Sequence, residues 1–194
     1  MAWVYIGVIG AGLVAAYRIL QVKHPDLIQE RSGFKEGSKS QDMVLARMGA
    51  LFGPGFTLYV CGLDQRVEWT NLVPLHFSMI ALAFMIAGYG LVLWAVASNK
   101  FFSPAVRIQT DRGHTVVTAG PYRIIRHPGY TGLIVILLST PLILNSWMAL
   151  IPSILTVGII VFRTAMEDKT LIQELEGYKE YVSRSRYRLL PGIW

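Results

Sequence analysis

Hydrophobic and polar positions along this chain fall into long blocks rather than the short periods of a soluble fold. Apolar runs occupy residues 2–22, 43–63, 75–98, 129–144 and 147–162. A helix that crosses a bilayer needs roughly 17 to 25 residues, so the first three runs predict transmembrane helices outright. The last two are shorter and meet at Asn145, Ser146 and Trp147. They predict a tight helical hairpin whose second arm continues past the lipid edge. The whole pattern predicts an all-α integral membrane protein with about five transmembrane helices and a C-terminal amphipathic helix.

The polar blocks have different textures. Residues 23–42 mix charges around two glycines and a proline, the pattern of a solvated connector at the membrane surface. Residues 99–128 interleave apolar and polar positions in "VRIQTDRGHTVVTAGPYRIIRHP", punctuated by Gly113, Gly120 and prolines, which predicts an ordered, partly buried loop. Beyond the last run, Leu171, Leu175 and Val182 recur at near-helical spacing between charges. That spacing predicts the amphipathic helix, faltering at Gly177 and lying against the membrane or the polar loop.

Composition agrees with the pattern. The chain is 53% hydrophobic and 15% charged, with mean hydropathy +0.45, whereas soluble domains carry about a quarter charged residues. Short cytoplasmic loops collect Lys and Arg. Of the 18 basic residues, six lie in 18–47, five in 100–126 and six in 163–188, while 64–74 holds only Arg66. Five crossings with the N-terminus outside put all but Arg66 on the cytoplasmic side. The net charge of +6 therefore records topology and attraction to membrane lipids, not nucleic-acid binding. The first run lacks a basic flank and exceeds a signal h-region, which predicts an uncleaved helix.

Several motifs carry no chemistry. Cys61 is the single cysteine, so neither a disulfide framework nor a Cys-based zinc site is available. His24 and His76 stand alone at run borders, and His114 and His127 have no neighbouring Cys or carboxylate to complete a metal site, so no metal is expected. "VIGAGLVAA", with Gly10, Gly12 and Ala15, matches a dinucleotide-binding spacing but lies inside an unbroken apolar run. Close helix packing explains it better. Trp3, Trp69, Trp147 and Trp194 fall near predicted interfaces, the belt position.

One constellation remains. Arg163 and Glu167 are four apart at the cytoplasmic end of the last run, on one helix face. Arg126, His127 and Tyr130 open the preceding run at the same level, and the short hairpin brings the two arms together. Polar groups converging at the lipid edge need a ligand or each other. The stretches "HTVVTAGPYRIIRHPGYTG" (114–132) and "RTAMEDKTLIQELEGYKEY" (163–181), followed by "RYRLLPGIW", resemble the isoprenylcysteine carboxyl methyltransferase family, part of a wider group that includes phospholipid N-methyltransferases.

The resemblance implies S-adenosylmethionine as cofactor and a lipophilic small-molecule or prenylated acceptor. By position, His114, Thr115, Val116, Val117 and Tyr122 would embrace the adenosine, with Gln109 assisting. His127, Pro128, Gly129, Tyr130 and Glu167 would hold the amino-acid and sulfonium end. Arg163 would face the acceptor carboxylate, making Arg163 and Glu167 the implied catalytic pair. Residues 1–98 would then shape the acceptor tunnel and 99–194 the methyltransferase region. The chain departs from the family where Glu167-Asp168 stands for paired glutamates, and residues 1–98 carry no matching motif. Its compactness resembles bacterial members, implying a bacterial inner membrane with the active site at the cytoplasmic face. A phosphatidylethanolamine N-methyltransferase, a sterol-reductase relative and a non-catalytic membrane protein are the alternative readings.

Overall fold

The computed structural model describes residues 1–31, 40–103 and 106–194. Among these, helices follow one another as α1 (Ala2–Lys23), α2 (Asp26–Arg31), α3 (Ser40–Ala50), a π-helical stretch (Leu51–Phe56), α4 (Thr57–Val67), α5 (Leu75–Ser98), α6 (Pro128–Ile143), α7 (Leu150–Glu174) and α8 (Tyr178–Arg184), with 3₁₀ turns at Thr110–Arg112 and Gly120–Arg123. No strand forms among the described residues. A single parallel bridge joins Ile125 to Tyr187.

Four helical stretches, 2–23, 44–67, 75–98 and 150–174, are long and apolar enough to cross a membrane. The fifth expected span is the shorter α6, whose 16 residues reach about 24 Å at helical rise, less than the roughly 30 Å hydrocarbon core. The second stretch is not a plain helix. Pro54 lacks an N–H and its ring crowds the preceding turn, and the helix widens into a π stretch around it. There Gly53 approaches α7 so closely that a Cβ would lie 3.1 Å from Thr156 Cγ2.

The outward faces carry Leu13, Val14, Phe84, Ile154, Leu155 and Phe162, all exposed, while the interior holds Ser78, Ala81, Ser139, Thr140, Ser153, Thr156 and Thr164. Small and hydroxyl-bearing residues let membrane helices approach closely. Most of their hydroxyls are satisfied within the helix: Ser139 Oγ donates to the Val135 carbonyl at 2.7 Å, and Thr156 and Thr164 each donate to the carbonyl four residues back at 2.8 Å, whereas Ser78 Oγ crosses from α5 to the Leu142 carbonyl of α6 at 2.8 Å. Backbone meets backbone between α5 and α6, where a Cβ on Gly132 would fall 2.6 Å from the Gly88 carbonyl oxygen.

Gly12 also serves packing, since a Cβ there would lie 2.6 Å from the Tyr89 ring, whereas Gly10 meets nothing within 4 Å. The helix runs unbroken through both, so no phosphate-binding turn exists. At the far end of the bundle, buried Asp64 accepts hydrogen bonds from Thr70 N (2.9 Å), Thr70 Oγ1 (2.6 Å) and Ser146 Oγ (2.6 Å), fastening the end of α4 to the α6–α7 turn.

Two expectations need correction. The last apolar arm and the amphipathic helix are not separate. With no Gly or Pro between Arg163 and Glu174 the helix continues as α7 to Glu174, and the chain then turns through the extended Leu175 and Gly177, at φ +79°, into α8. The connector 23–42 is not simply solvated either, since α2 buries Leu27 and Glu30. Residues 32–39 of that connector lie outside the described residues.

Candidate active site

The polar loop folds because its glycines turn it and its carboxylates neutralise it. Gly113 and Gly120 take φ +61° and +58°, a region that residues with a Cβ avoid. At Gly120 a Cβ would also overlap Ser98 on α5. Arg107 donates through Nε and Nη2 to both Glu30 oxygens at 2.8 Å, and through Nη1 to Asp111 at 2.9 Å. This buried pair pins α2 onto the loop, and the two carboxylates raise the Arg107 pKa above its ordinary value.

A second buried network centres on Asp168, whose side chain is fully shielded. Arg126 grips both carboxylate oxygens at 2.9 Å through Nε and Nη2, and its Nη1 donates to the Ser185 and Arg186 carbonyls. Arg188 Nε (2.8 Å), Tyr178 Oη (3.0 Å) and His127 Nε2 (3.3 Å) complete the set. A buried ion pair is tolerable only when such additional bonds satisfy it. Asp168, only a variant of the family's glutamate pair in the sequence, thus ties the loop, α7, α8 and the C-terminal segment together. That segment also runs along the start of α6, where Arg126 and His127 N–H groups donate to the Tyr187 and Arg188 carbonyls.

Next to this keystone, Tyr130 Oη donates to Glu167 Oε2 at 2.7 Å. Arg163 lies with its guanidinium 5.6 Å from the Tyr130 ring centroid. His127 stacks near Tyr130, with ring centroids 5.9 Å apart, and its Nδ1 is 4.0 Å from Glu167. The continuity of α7 sets Arg163 and Glu167 one turn apart facing the first turn of α6.

On the opposite side, His114 packs on Phe101, with centroids 4.4 Å apart, and its Nδ1 accepts the Gln109 backbone N–H at 3.3 Å. Burial and then the nearby Arg107 and Arg112 push its pKa down to about 4. The ring is therefore neutral near pH 7, with its proton on Nε2. Tyr122 Oη accepts from Asn99 Nδ2 at 3.1 Å, and burial raises its pKa above the usual tyrosine range.

These groups surround one cavity of about 450 Å³. Gln109, His114, Thr115, Val116, Val117, Tyr122, His127, Gly129, Tyr130, Arg163 and Glu167 all reach its wall. Pro128 stands back from the wall, buried as the first residue of α6. Gln109 reaches the wall with its amide already engaged: Nε2 donates to the Phe101 carbonyl and Oε1 accepts from Arg112. Gly129 is required where it is, because a Cβ would lie 2.5 Å from the Phe102 ring.

Sequence reading missed Asn99, Phe101 and Phe102, and also Arg31, Leu13 and Tyr89 from the first 98 residues. Tyr178 and Tyr181, also on the wall, were visible only as a pair three apart after Gly177. Tyr181 Oη donates to the Tyr122 carbonyl at 2.7 Å. The cavity is polar and aromatic between the loop and α7, and apolar where Leu13, Val92, Leu133 and Ile136 line it.

Comparison with known proteins finds a matching family and two named relatives. Two rice proteins, from Oryza sativa subsp. indica and subsp. japonica, each named a probable protein-S-isoprenylcysteine O-methyltransferase, are 24% identical to the chain over 110 residues. The match covers 55% of this chain and 58% of each relative's length. The family model for isoprenylcysteine carboxyl methyltransferase matches residues 79–173, a segment that runs from α5 through the polar loop and α6 to Glu167 and Asp168. That match, over the elements that build the cavity, and the two rice relatives together support the isoprenylcysteine carboxyl methyltransferase family for this chain.

Proposed function

We propose that the protein is an integral membrane O-methyltransferase that moves a methyl group from S-adenosylmethionine to the carboxylate of a lipophilic, isoprenylcysteine-like acceptor. One observation carries the reading: a single cavity is lined both by polar and aromatic side chains of the loop, α7 and α8 and by apolar side chains of α1, α5 and α6, with Tyr130, Glu167 and Arg163 in mutual contact on its wall. The donor set suits the cofactor. A neutral His114 and the loop's backbone can hydrogen-bond an adenine edge, and Tyr122 offers an aromatic face. Glu167 supplies a countercharge for an ammonium group, and Tyr130 a π face for a cation. Bound there, S-adenosylmethionine would supply an electrophilic methyl group.

The chain's own residues then bind, orient and exclude water. Arg163 is a planar fork suited to an acceptor carboxylate, held over Tyr130. Such a carboxylate, with pKa near 4, is already ionised and needs no general base. An amine acceptor would need one, and the nearby carboxylates are poorly disposed to serve. Asp168 is consumed by Arg126, Arg188 and Tyr178, and Glu167 already accepts a hydrogen bond from Tyr130. This disfavours the phosphatidylethanolamine reading. The apolar lining contributed by Leu13, Tyr89 and Val92 supports assigning part of the acceptor's chain to residues 1–98, and the polar loop and α7 support assigning the cofactor to 99–194. The basic bias of the connecting segments supports a cytoplasmic chamber.

Calorimetry with S-adenosylhomocysteine on detergent-purified protein tests the reading. Ligand at a hundred times its Kd adds about 2.7 kcal/mol, so the wild-type Tm should rise, and Glu167→Ala or Tyr122→Ala should blunt the rise. N-acetyl-S-farnesyl cysteine should then accept methyl groups while an ethanolamine headgroup does not. No binding of S-adenosylhomocysteine in several detergents would sink the proposal.

A further inference from the structure

Four arginines line the cavity: Arg31, Arg107, Arg126 and Arg163. Arg107 is matched by Glu30 and Asp111, Arg126 by Asp168, and Arg163 lies over Tyr130. Arg31 is held differently. Its Nη1 donates to the Phe102 carbonyl oxygen at 3.3 Å and its guanidinium lies 5.6 Å from the Phe102 ring centroid. No carboxylate among the described residues pairs with it. Although much of the residue is open to the surface, its surroundings desolvate the guanidinium and lower its pKa from the ordinary arginine value.

The fold delivers Arg31 to that position. Glu30, immediately before it, is clamped by Arg107, and Leu27, fully buried one turn earlier, packs with Leu20 and Val96. α2 is thus docked on two sides, and its last residue reaches the cavity rim. Phe102, which carries the guanidinium, packs in the same cluster, with Val92 beside it. Phe102 also packs against the cluster that holds Val116 and Val117, so Arg31 lines the cavity, together with Leu13, Tyr89 and Val92, from the side of α2.

We propose that Arg31 is a specificity-determining residue for the acceptor, a second guanidinium on the cavity wall, besides Arg163, that recognises the anionic head of a chain-bearing amphiphile. The inference rests on the methyltransferase reading and adds direction to it. A partly desolvated cation that no carboxylate among the described residues pairs with gains from an anionic head through charge-assisted hydrogen bonds. Methyl transfer forms the O–CH₃ bond, breaks the S–CH₃ bond of the sulfonium and leaves a neutral ester and a neutral thioether. The ester offers Arg31 no charge, so the same residue that admits the acid favours exchange of product for fresh substrate.

The test measures Kd for N-acetyl-S-farnesyl cysteine and for its methyl ester on detergent-purified protein saturated with S-adenosylhomocysteine. The wild type should prefer the acid. Arg31→Gln should weaken the acid about tenfold, the scale of one charge-assisted contact, leave the ester unchanged and keep S-adenosylhomocysteine affinity intact. Arg31→Lys should retain part of the preference. An unchanged acid-to-ester ratio in Arg31→Gln overturns the proposal. So does an equal loss for both ligands, which would make Arg31 a packing or lipid-headgroup contact, and so does a wild type with no preference. If the wild type fails to bind S-adenosylhomocysteine, the methyltransferase reading itself fails. If it binds and the ratio does not move, only the role of Arg31 falls.

Discussion

Glu167 and Asp168 are adjacent carboxylates with different employments. Asp168 is fully shielded and held by Arg126, Arg188 and Tyr178, whereas Glu167 lines the cavity and accepts from Tyr130. Removing one partner of a buried pair strands the other, at about 3–5 kcal/mol. Asp168→Asn should therefore lower unfolding free energy by that order in a denaturant titration in detergent. Glu167→Gln should cost under about 1 kcal/mol, as an amide oxygen still accepts from Tyr130, yet weaken S-adenosylhomocysteine in calorimetry. His114 makes a pH prediction. Unfolded, it protonates near 6.5; folded, only near 4. Its contribution is thus complete above pH 6.5 and is lost as pH falls towards 4. The Tm should drop between pH 7 and pH 4.5, and less steeply in His114→Gln.

At the scale of elements, the glycine contact between α5 and α6 sets the cavity's dimensions, because the first turn of α6 carries Gly129 and Tyr130. A Cβ on Gly132 would meet backbone, the Gly88 carbonyl oxygen, rather than a yielding side chain. Gly132→Ala should push the helices apart at about 1–3 kcal/mol and reduce S-adenosylhomocysteine affinity as well. Gly10→Ala, with nothing within 4 Å, should be neutral or raise the Tm slightly through helix propensity. Equal effects of the two substitutions on Tm would contradict this packing. The unbroken α7 works at the same scale, since it carries the chamber's Arg163 and Glu167 on the rod that crosses the lipid.

For the whole molecule, the sided distribution of basic residues makes a topological prediction. Glu68, after α4, and Lys100, after α5, are both exposed and flank a single 24-residue helix. In a Cys61→Ala background, cysteines placed at 68 and 100 should react with impermeant maleimide from opposite sides of sealed vesicles, with 100 on the cytoplasmic side. Labelling of both from one side would remove the basis for a cytoplasmic chamber. The exposed apolar faces of α1, α5 and α7 belong to lipid, which has no preference for burying one alkyl side chain over another. Cohesion of the bundle therefore rests on small-residue contacts and on polar fastenings at its two ends, Asp64 with Ser146 and Asp168 with Arg126.

The sequence by itself determined the helical class, the positions of the long apolar helices, the break at Gly177 and the convergence of Arg126, His127 and Tyr130 with Arg163 and Glu167, while the part of His114 and Tyr122 came from the family resemblance. Hydropathy, helix breakers and short motifs are properties of contiguous residues, so they can be read in one dimension. Tertiary structure alone decided that Glu30 meets Arg107 across 77 residues, that Asp168 rather than a ligand satisfies Arg126 across 42, and that Ser146 bonds Asp64 across 82. It also turned Arg31 and Leu13, unremarked in a connector and a membrane helix, into walls of the cavity. No spacing rule links such residues. Their pairing depends on which helices pack together, and that is set by steric fit at glycines and by the need of every buried charge to find its partner.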